Sequence, residues 1–218
     1  MKFNPNKPLA LSSLPLVLAS TSPYRRELLS HLQIPFTVIA PEVDETPLPD
    51  ETPEATALRL SLLKARAAQP AYPNALIIGS DQVATVDGLQ VGKPGSHEKA
   101  VEQLLMMSGK YVVFHSALSL YNSASGSVHS TSVPTTVLFR QLSAAQIEAY
   151  LRKDQPYNCA GSARIESLGI AVIEKLTSED PNALIGLPLI TLVHMLAAEG
   201  MDVLTWKPAQ QPLSDHEG

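Results

Sequence analysis

Two adjacent arginines follow a helix-start signal near the beginning of the sequence. Ser22 has the side chain of an N-cap residue and Pro23 suits the first helical position, so the first turn of a predicted helix carries Arg25 and Arg26. Two cations destabilise this positive end of a helix unless an anion binds there. Phosphate is the obvious anion, and the hydroxyl of Ser20 lies just upstream. The residues also allow a second interpretation, in which both arginines point into water.

A second polar group follows a short apolar run, residues 75–78, that predicts an interior strand. Asp81 and Gln82 come directly after it, and in open α/β sheets ligand sites gather at the carboxyl ends of strands. We therefore expect Asp81 to be a catalytic carboxylate. The dipeptide Asp87-Gly88 predicts a hairpin turn, and Lys93 lies in a tight turn just beyond it.

Carboxylates are concentrated in the proline-rich residues 40–53, which include Glu42 and are typical of a solvated loop. Oxygen ligands of this kind suit a divalent metal. Lys64, on the helix predicted to follow, would by itself be a surface lysine. Taken together, cations for phosphates, carboxylates for a metal and a carboxylate base indicate a nucleotide site. The sequence has no Walker A motif, which excludes a P-loop protein.

Composition restricts the class of protein. The chain has 218 residues, of which 44% are hydrophobic and 17% charged, as in ordinary globular proteins. A net charge of −5 argues against a polymeric nucleic-acid partner, and no apolar run is long enough to cross a membrane. Cys159 is the single cysteine, so a reducing cytoplasm is expected. We expect a loose extension over residues 1–13, one domain over residues 14–204 and a disordered tail over residues 205–218.

Strand and helix patterns alternate along the chain, which is typical of an α/β fold. The predicted strands cover residues 16–18, 35–39, 75–78, 111–121, 128–140 and 170–173, and the predicted helices cover residues 23–32, 53–65, 96–107, 143–153 and 187–200.

Six motifs in this order resemble the Maf family of nucleoside triphosphate pyrophosphatases, and they are most similar to its 7-methyl-GTP branch. The motifs occupy residues 18–29, 40–45, 77–82, 92–94, 159–162 and 180–188. The resemblance implies an elongated, twisted, mixed β-sheet flanked by helices, with two lobes and a cleft between them, as in the Maf and inosine-triphosphatase-like fold. It also implies hydrolysis of a nucleoside triphosphate to the monophosphate and pyrophosphate, with a divalent cation (Mg²⁺ or Mn²⁺) as cofactor. A homodimer is compatible with the resemblance.

The same resemblance assigns roles to individual residues. Asp81 matches the family's general base, and Arg25 matches its constant arginine, whereas Arg26 lies where the family varies. The remaining site residues are matched by Glu42, Lys64 and Lys93, with Glu42 and Asp81 as the metal ligands. Base preference would be set by Tyr24, Gln82 and Glu166, which lie where the branches differ.

Tyrosine stands at position 24, where tryptophan is usual in the 7-methyl-GTP branch. An N7-methylated guanine is positively charged, and an aromatic face such as that of Tyr24 attracts a cation by roughly 0.5–2 kcal/mol. Glu166 can pair with the guanine N1–H and amino group. Two rival hypotheses are the same reaction on dTTP and UTP, and a non-catalytic nucleotide-binding regulator of septum formation.

Overall fold

A computed structural model describes residues 14–207 of the chain. The strands are β1 Leu16–Ala19, β2 Phe36–Ile39, β3 Leu76–Val86, β4 Leu89–Val91, β5 Tyr111–Asn122, β6 Val128–Phe139 and β7 Ile173–Ser178. The α-helices are α1 Pro23–Ser30, α2 Pro53–Ala67, α3 His97–Met107, α4 Ala144–Asp154 and α5 Leu189–Ala198, with short 3-10 turns at Ala160–Ser162, Leu168–Val172 and Ala183–Ile185.

All seven strands form one mixed sheet in the order β2-β1-β3-β5-β6-β7, with β4 paired to the end of β3. The strands β2, β1 and β3 are parallel, because α1 and α2 return the chain to the same end of the sheet. From β3 to β7 the neighbours are antiparallel. The predicted α/β fold with a mixed sheet is confirmed.

Two large hydrophobic cores pack against this sheet, and two smaller clusters pack α2 on it. The first core joins α1 and α5 to the parallel strands, through residues such as Leu18 and Leu196. The second joins α3 and α4 to the antiparallel part, through residues such as Leu104 and Phe139. These two cores correspond to the two lobes that the resemblance implies, and β3 and β5 run through both.

The polar residues of β3 lie where one core gives way to the other. Ile78 belongs to the first core and Ala84 to the second, and Ser80, Asp81 and Gln82 lie between them. The sequence predicts that a strand ends at residue 78, and this prediction is wrong, because β3 continues to Val86. The strand continues because β5 hydrogen-bonds along its whole length. The polar residues therefore lie in mid-strand, just beyond the last parallel pair with β1, Ala19 with Gly79.

The hairpin signal at Asp87-Gly88 is confirmed by the antiparallel pairing of β3 with β4. The last strand lies later than predicted, at Ile173–Ser178 rather than at residues 170–173. None of the helices within residues 14–207 is long and apolar enough to cross a membrane. The predicted extension (residues 1–13) and most of the predicted tail lie outside the described residues, but Trp206 packs against the first core.

Candidate active site

A cleft of about 600 Å³ lies between the two cores. Its walls come from the start of α1, the acidic segment after β2, one side of α2, the middle of β3, the turn after β4 and the segment after α4. The lining residues with polar or charged side chains include Ser20, Thr21, Ser22, Tyr24, Arg25, Glu45, Thr56, Lys64, Asp81, Gln82, Gln90, Lys93, Asn158, Cys159 and Glu166.

A lysine joins two carboxylates at the floor of the cleft. Lys64 Nζ lies 2.6 Å from Asp81 Oδ1 and 2.8 Å from Glu45 Oε1. The lysine and the aspartate are 7% and 8% exposed. Because little water surrounds them, the effective dielectric constant is low and their electrostatic attraction is stronger. Lys64 is therefore an interior side chain, although its position in the sequence would by itself suggest a surface lysine.

Glycine at position 79 allows this contact. A Cβ atom on Gly79 would lie 2.0 Å from the backbone oxygen of Ser61 and 2.7 Å from the backbone nitrogen of Ala65. The backbone of α2 therefore packs directly on β3, and this close approach brings Lys64 within reach of Asp81.

The acidic segment contributes Glu45 to the cleft. Burial by itself would raise the pKa of the Glu45 carboxyl, but the hydrogen bond from Lys64 and the nearby cations Lys93 and Arg25 lower it overall. Glu45 is thus held as a carboxylate among three cations.

The helix-start signal at α1 is confirmed, and its two arginines have different positions. Ser22 caps α1 by accepting a hydrogen bond from the backbone N–H of Arg25. The Arg25 side chain enters the cleft, and its Nε donates to the backbone oxygen of Gly186 at 2.9 Å. Burial lowers the pKa of Arg25, and the charges of Asp81 and Glu45 partly offset this effect. Arg26 is exposed, as the interpretation with arginines in water would require.

A loop between β7 and α5 supports the cleft from behind. The backbone oxygen of Gly186 accepts hydrogen bonds from both Arg25 Nε and Ser80 Oγ. Gln82 Nε2 donates to the backbone oxygens of the loop residues Ala183 and Leu184, at 3.2 and 2.9 Å. The amide of Gln82 is therefore used to attach this loop to β3.

The carboxylate of Asp180 holds the loop in place. Its two oxygens accept hydrogen bonds from the backbone N–H groups of Asn182 and Ile190, at 2.9 and 2.7 Å, and the residue is 1% exposed. Asp180 thus ties the loop to the first turn of α5. The motif of residues 180–188 contains most of this loop, but the bonds from Arg25 and Gln82 to its backbone oxygens could not be foreseen from the sequence.

Tyr24 and Glu166 lie on the lining of the cleft together with Cys159. Burial raises the pKa of Glu166; the Arg164 guanidinium opposes this shift, whereas the carboxylates of Asp154 and Glu27 add to it. Arg164 is itself fixed by a 2.6 Å bond from its Nη2 to Asp154 Oδ1. A positively charged ligand group beside Glu166 would favour its ionised form.

A family model described as "Maf-like protein" matches residues 15–199. The chain belongs to the Maf family. A protein of Thiobacillus denitrificans named 7-methyl-GTP pyrophosphatase is 63% identical over 191 residues, which cover 88% of this chain and 95% of that protein. Proteins with the same name from Methylobacillus flagellatus and Burkholderia pseudomallei are 60% and 59% identical, over 87% and 85% of this chain and 99% and 87% of their own lengths.

The structure of this Maf protein brings together most of the residues selected from the sequence. The selected residues that line the cleft are Ser20, Tyr24, Arg25, Lys64, Asp81, Gln82, Lys93 and Glu166. Arg26 and Glu42 do not, and both are exposed. The carboxylate that reaches the floor from the acidic segment is Glu45, three residues after Glu42. Glu42 and Glu45 belong to the same acidic segment, and the structure brings Glu45 into the cleft.

Glu45 and Asp81 are the carboxylates at the floor of the cleft, beside Lys64, that could hold a metal. Among residues 14–207 no group of three or more His, Cys, Asp or Glu side chains is arranged to hold an ion. Mg²⁺ commonly takes one or two protein carboxylates and completes its shell with substrate phosphates and water. The donor set of this Maf cleft therefore fits a metal that shares its coordination with a polyphosphate, and not an all-protein cage.

Proposed function

We propose that this Maf protein hydrolyses 7-methyl-GTP to 7-methyl-GMP and pyrophosphate. The observation that carries the proposal is one cleft that combines three cations with a buried aspartate and also contains an aromatic ring and a carboxylate. The cations are Arg25, Lys64 and Lys93, the aspartate is Asp81, and the ring and the carboxylate are those of Tyr24 and Glu166. The relatives named 7-methyl-GTP pyrophosphatase support the choice of nucleotide.

The triphosphate carries about four negative charges, which gather on the phosphate oxygens as the bond between the α-phosphorus and the bridging oxygen breaks. Arg25, Lys64 and Lys93 would bind these oxygens and stabilise the growing charge. Pyrophosphate is the leaving group, and water supplies the oxygen that joins the α-phosphate.

Asp81 would accept the proton of the attacking water. Lys64 occupies Oδ1 of this carboxylate, so Oδ2 is the oxygen that would take the proton. Glu45 shares the lysine with Asp81, and this second contact keeps the ammonium group of Lys64 between the two carboxylates. A divalent cation, Mg²⁺ or Mn²⁺, would be held by the second carboxylate oxygen of Glu45 together with the phosphates, and would neutralise phosphate charge.

Selection of the base would depend on Tyr24 and Glu166. N7-methylation gives guanine a positive charge, which is attracted to the face of an aromatic ring and to a carboxylate. Glu166 would accept hydrogen bonds from N1–H and the amino group of the base. Neutral pyrimidines gain less from either side chain. Since the substrate is a nucleotide and Cys159 is the single cysteine, we also propose a reducing, cytoplasmic location.

A panel of nucleotides tests the proposal. Pyrophosphate release is measured with Mg²⁺ or Mn²⁺ from 7-methyl-GTP, GTP, dTTP, UTP and ATP, for the wild type and for Asp81→Asn. We expect the highest kcat/KM with 7-methyl-GTP and a loss of about 10²- to 10⁴-fold in Asp81→Asn. Faster hydrolysis of dTTP and UTP would contradict the proposed substrate. Tight nucleotide binding without turnover would contradict the enzymatic function and favour a regulator.

A further inference from the structure

The acidic segment that carries Glu45 is fastened to α2 by an arginine outside the cleft lining. Arg59 donates from Nε to Glu51 Oε1 at 2.7 Å and from Nη2 to Glu51 Oε2 at 2.8 Å. The same Nη2 also donates to the backbone oxygen of Thr46 at 3.1 Å. One guanidinium group therefore holds the end of the segment and the residue next to Glu45.

Other bonds complete this attachment. Glu51 Oε2 accepts hydrogen bonds from Thr56 Oγ1 at 2.9 Å and from the backbone N–H of Leu48 at 3.2 Å. The hydrogen bond from Arg59 is the largest cause that lowers the pKa of Glu51 to about 2. The attachment therefore stays charged on both sides throughout the neutral range of pH.

The position of Glu45 depends on this attachment more than on its own burial. The side chain of Glu45 is 60% exposed, and it forms a salt bridge with Lys64. The backbone of its neighbour Thr46 makes two hydrogen bonds: its N–H donates to Asp44 Oδ1, and its oxygen accepts from Arg59 Nη2. Loss of Arg59 would release this backbone and let Glu45 leave Lys64.

We propose that Arg59 is a positioning residue that acts through the backbone of Thr46 to keep Glu45 on Lys64 during the hydrolysis. This inference rests on the proposed function, because it concerns the same reaction. The part of the cleft that contains Tyr24 and Glu166 receives no contact from Arg59 among the described residues, so its recognition of the base does not depend on Arg59.

Turnover of 7-methyl-GTP by Arg59→Ala, Glu45→Gln and the double variant gives the first test. We expect Arg59→Ala to lower kcat by roughly 10- to 100-fold, with a smaller change in KM, because small displacements of groups in an active site have effects of this size. The double variant should be no slower than Glu45→Gln, since Arg59 acts through Glu45. Arg59→Lys should recover part of the rate, because an ammonium group can keep one of the bonds to Glu51. Effects that multiply in the double variant would overturn the inference.

Two variants control for stability and for the loss of an arginine. Arg152→Ala removes an arginine from an exposed ion pair with Glu148 on α4. Ile147→Val removes one methyl group from the second core, where Ile147 is 0% exposed. Both should retain wild-type turnover. A loss in Ile147→Val equal to that in Arg59→Ala at matched stability would make Arg59 a merely structural residue and would overturn the inference.

Hydrogen exchange gives a readout that does not need turnover. The backbone N–H groups of Thr46 and Leu48 donate to Asp44 and Glu51, respectively. The peptide that contains them should therefore exchange its amide hydrogens faster in Arg59→Ala than in the wild type, and at the wild-type rate in Arg152→Ala. Wild-type exchange in Arg59→Ala would overturn the inference. Absence of turnover by the wild type would contradict the proposed function, and the exchange result would still decide whether Arg59 holds the segment.

Discussion

Lys64 balances the charges of two carboxylates, and the fold depends on that balance. Its Nζ contacts both Asp81 and Glu45, and 8% of its side chain is exposed. Replacement of Lys64 by Met keeps much of the volume but leaves Asp81 as an unpaired, largely buried carboxylate. We expect Lys64→Met to lower the free energy of unfolding by about 3 kcal/mol, measured by urea denaturation.

The matched control is Lys64→Met combined with Asp81→Asn. Because the second change removes the unpaired charge, the double variant should be more stable than Lys64→Met alone. A Lys64→Met protein as stable as the wild type would show that solvent, and not the lysine, compensates the charge of Asp81.

Glu166 should make recognition of a cationic base depend on pH. Its pKa is raised, chiefly by burial, so it takes up a proton at a higher pH than an ordinary glutamate. The protonated form neither attracts a positive base nor accepts from both of its donors. The KM for 7-methyl-GTP should therefore rise as pH falls towards the raised pKa, in steady-state assays of the wild type. Glu166→Gln should have a higher KM that does not rise further as the pH falls. A pH profile of Glu166→Gln identical to that of the wild type would contradict the role of Glu166.

The residue types of the site could be predicted, but the choice between neighbouring carboxylates could not. Asp81 was identifiable because a carboxylate follows an apolar strand and a glycine. Glu42 and Glu45 lie in one run of carboxylates, and no local pattern distinguishes them. The path of that segment is set by the bonds of Arg59 to Glu51 and Thr46, which join residues up to 13 positions apart. Such bonds exist only once α2 has formed.

At the scale of elements, β3 determines where the chemistry can occur. The apolar residues at its two ends belong to different cores. Between them, Asp81 contacts Lys64 of α2, and Ser80 and Gln82 contact the loop before α5. The sequence predicts a strand that ends at residue 78, because polar residues follow the apolar run there. Pairing with β5 carries the strand further, since Ser80 and Asp81 pair with Leu118 and Ala117 in an unbroken register.

The packing of α2 on β3 depends on Gly79. An added Cβ would overlap the backbone of Ser61, and backbone in mid-helix cannot move aside locally. We expect Gly79→Ala to displace α2, to lower the free energy of unfolding by about 1–3 kcal/mol and to reduce turnover, because Lys64 moves away from Asp81. Urea denaturation and pyrophosphate release measure the two effects.

Gly92→Ala is the matched control for stability, since an added Cβ there would meet nothing within 4 Å. It should unfold at the same urea concentration as the wild type. If Gly79→Ala unfolded there too, the close approach of α2 to β3 would not be a requirement of the fold.

At the scale of the whole molecule, the cleft takes side chains from both lobes, and two long strands connect those lobes. Tyr24 and Arg25 come from α1, which packs in the first core, whereas Lys93 and Glu166 come from segments beside the second. Because β3 and β5 contribute buried residues to both cores, neither core can be completed alone. The two cores should therefore unfold together.

Thermal unfolding measures this coupling by two signals. Trp206 is the single tryptophan and packs against the first core, so its fluorescence reports on that lobe, whereas far-UV circular dichroism reports on all helices. We expect coincident transitions. An analogue of 7-methyl-GTP with a non-hydrolysable α,β-bridge, added with Mg²⁺ at 100 times its Kd, should shift both signals equally, by about 2.7 kcal/mol of stabilisation. A fluorescence transition separate from that of circular dichroism would show that the lobes unfold independently. A ligand-induced shift confined to one signal would show that the ligand contacts one lobe alone.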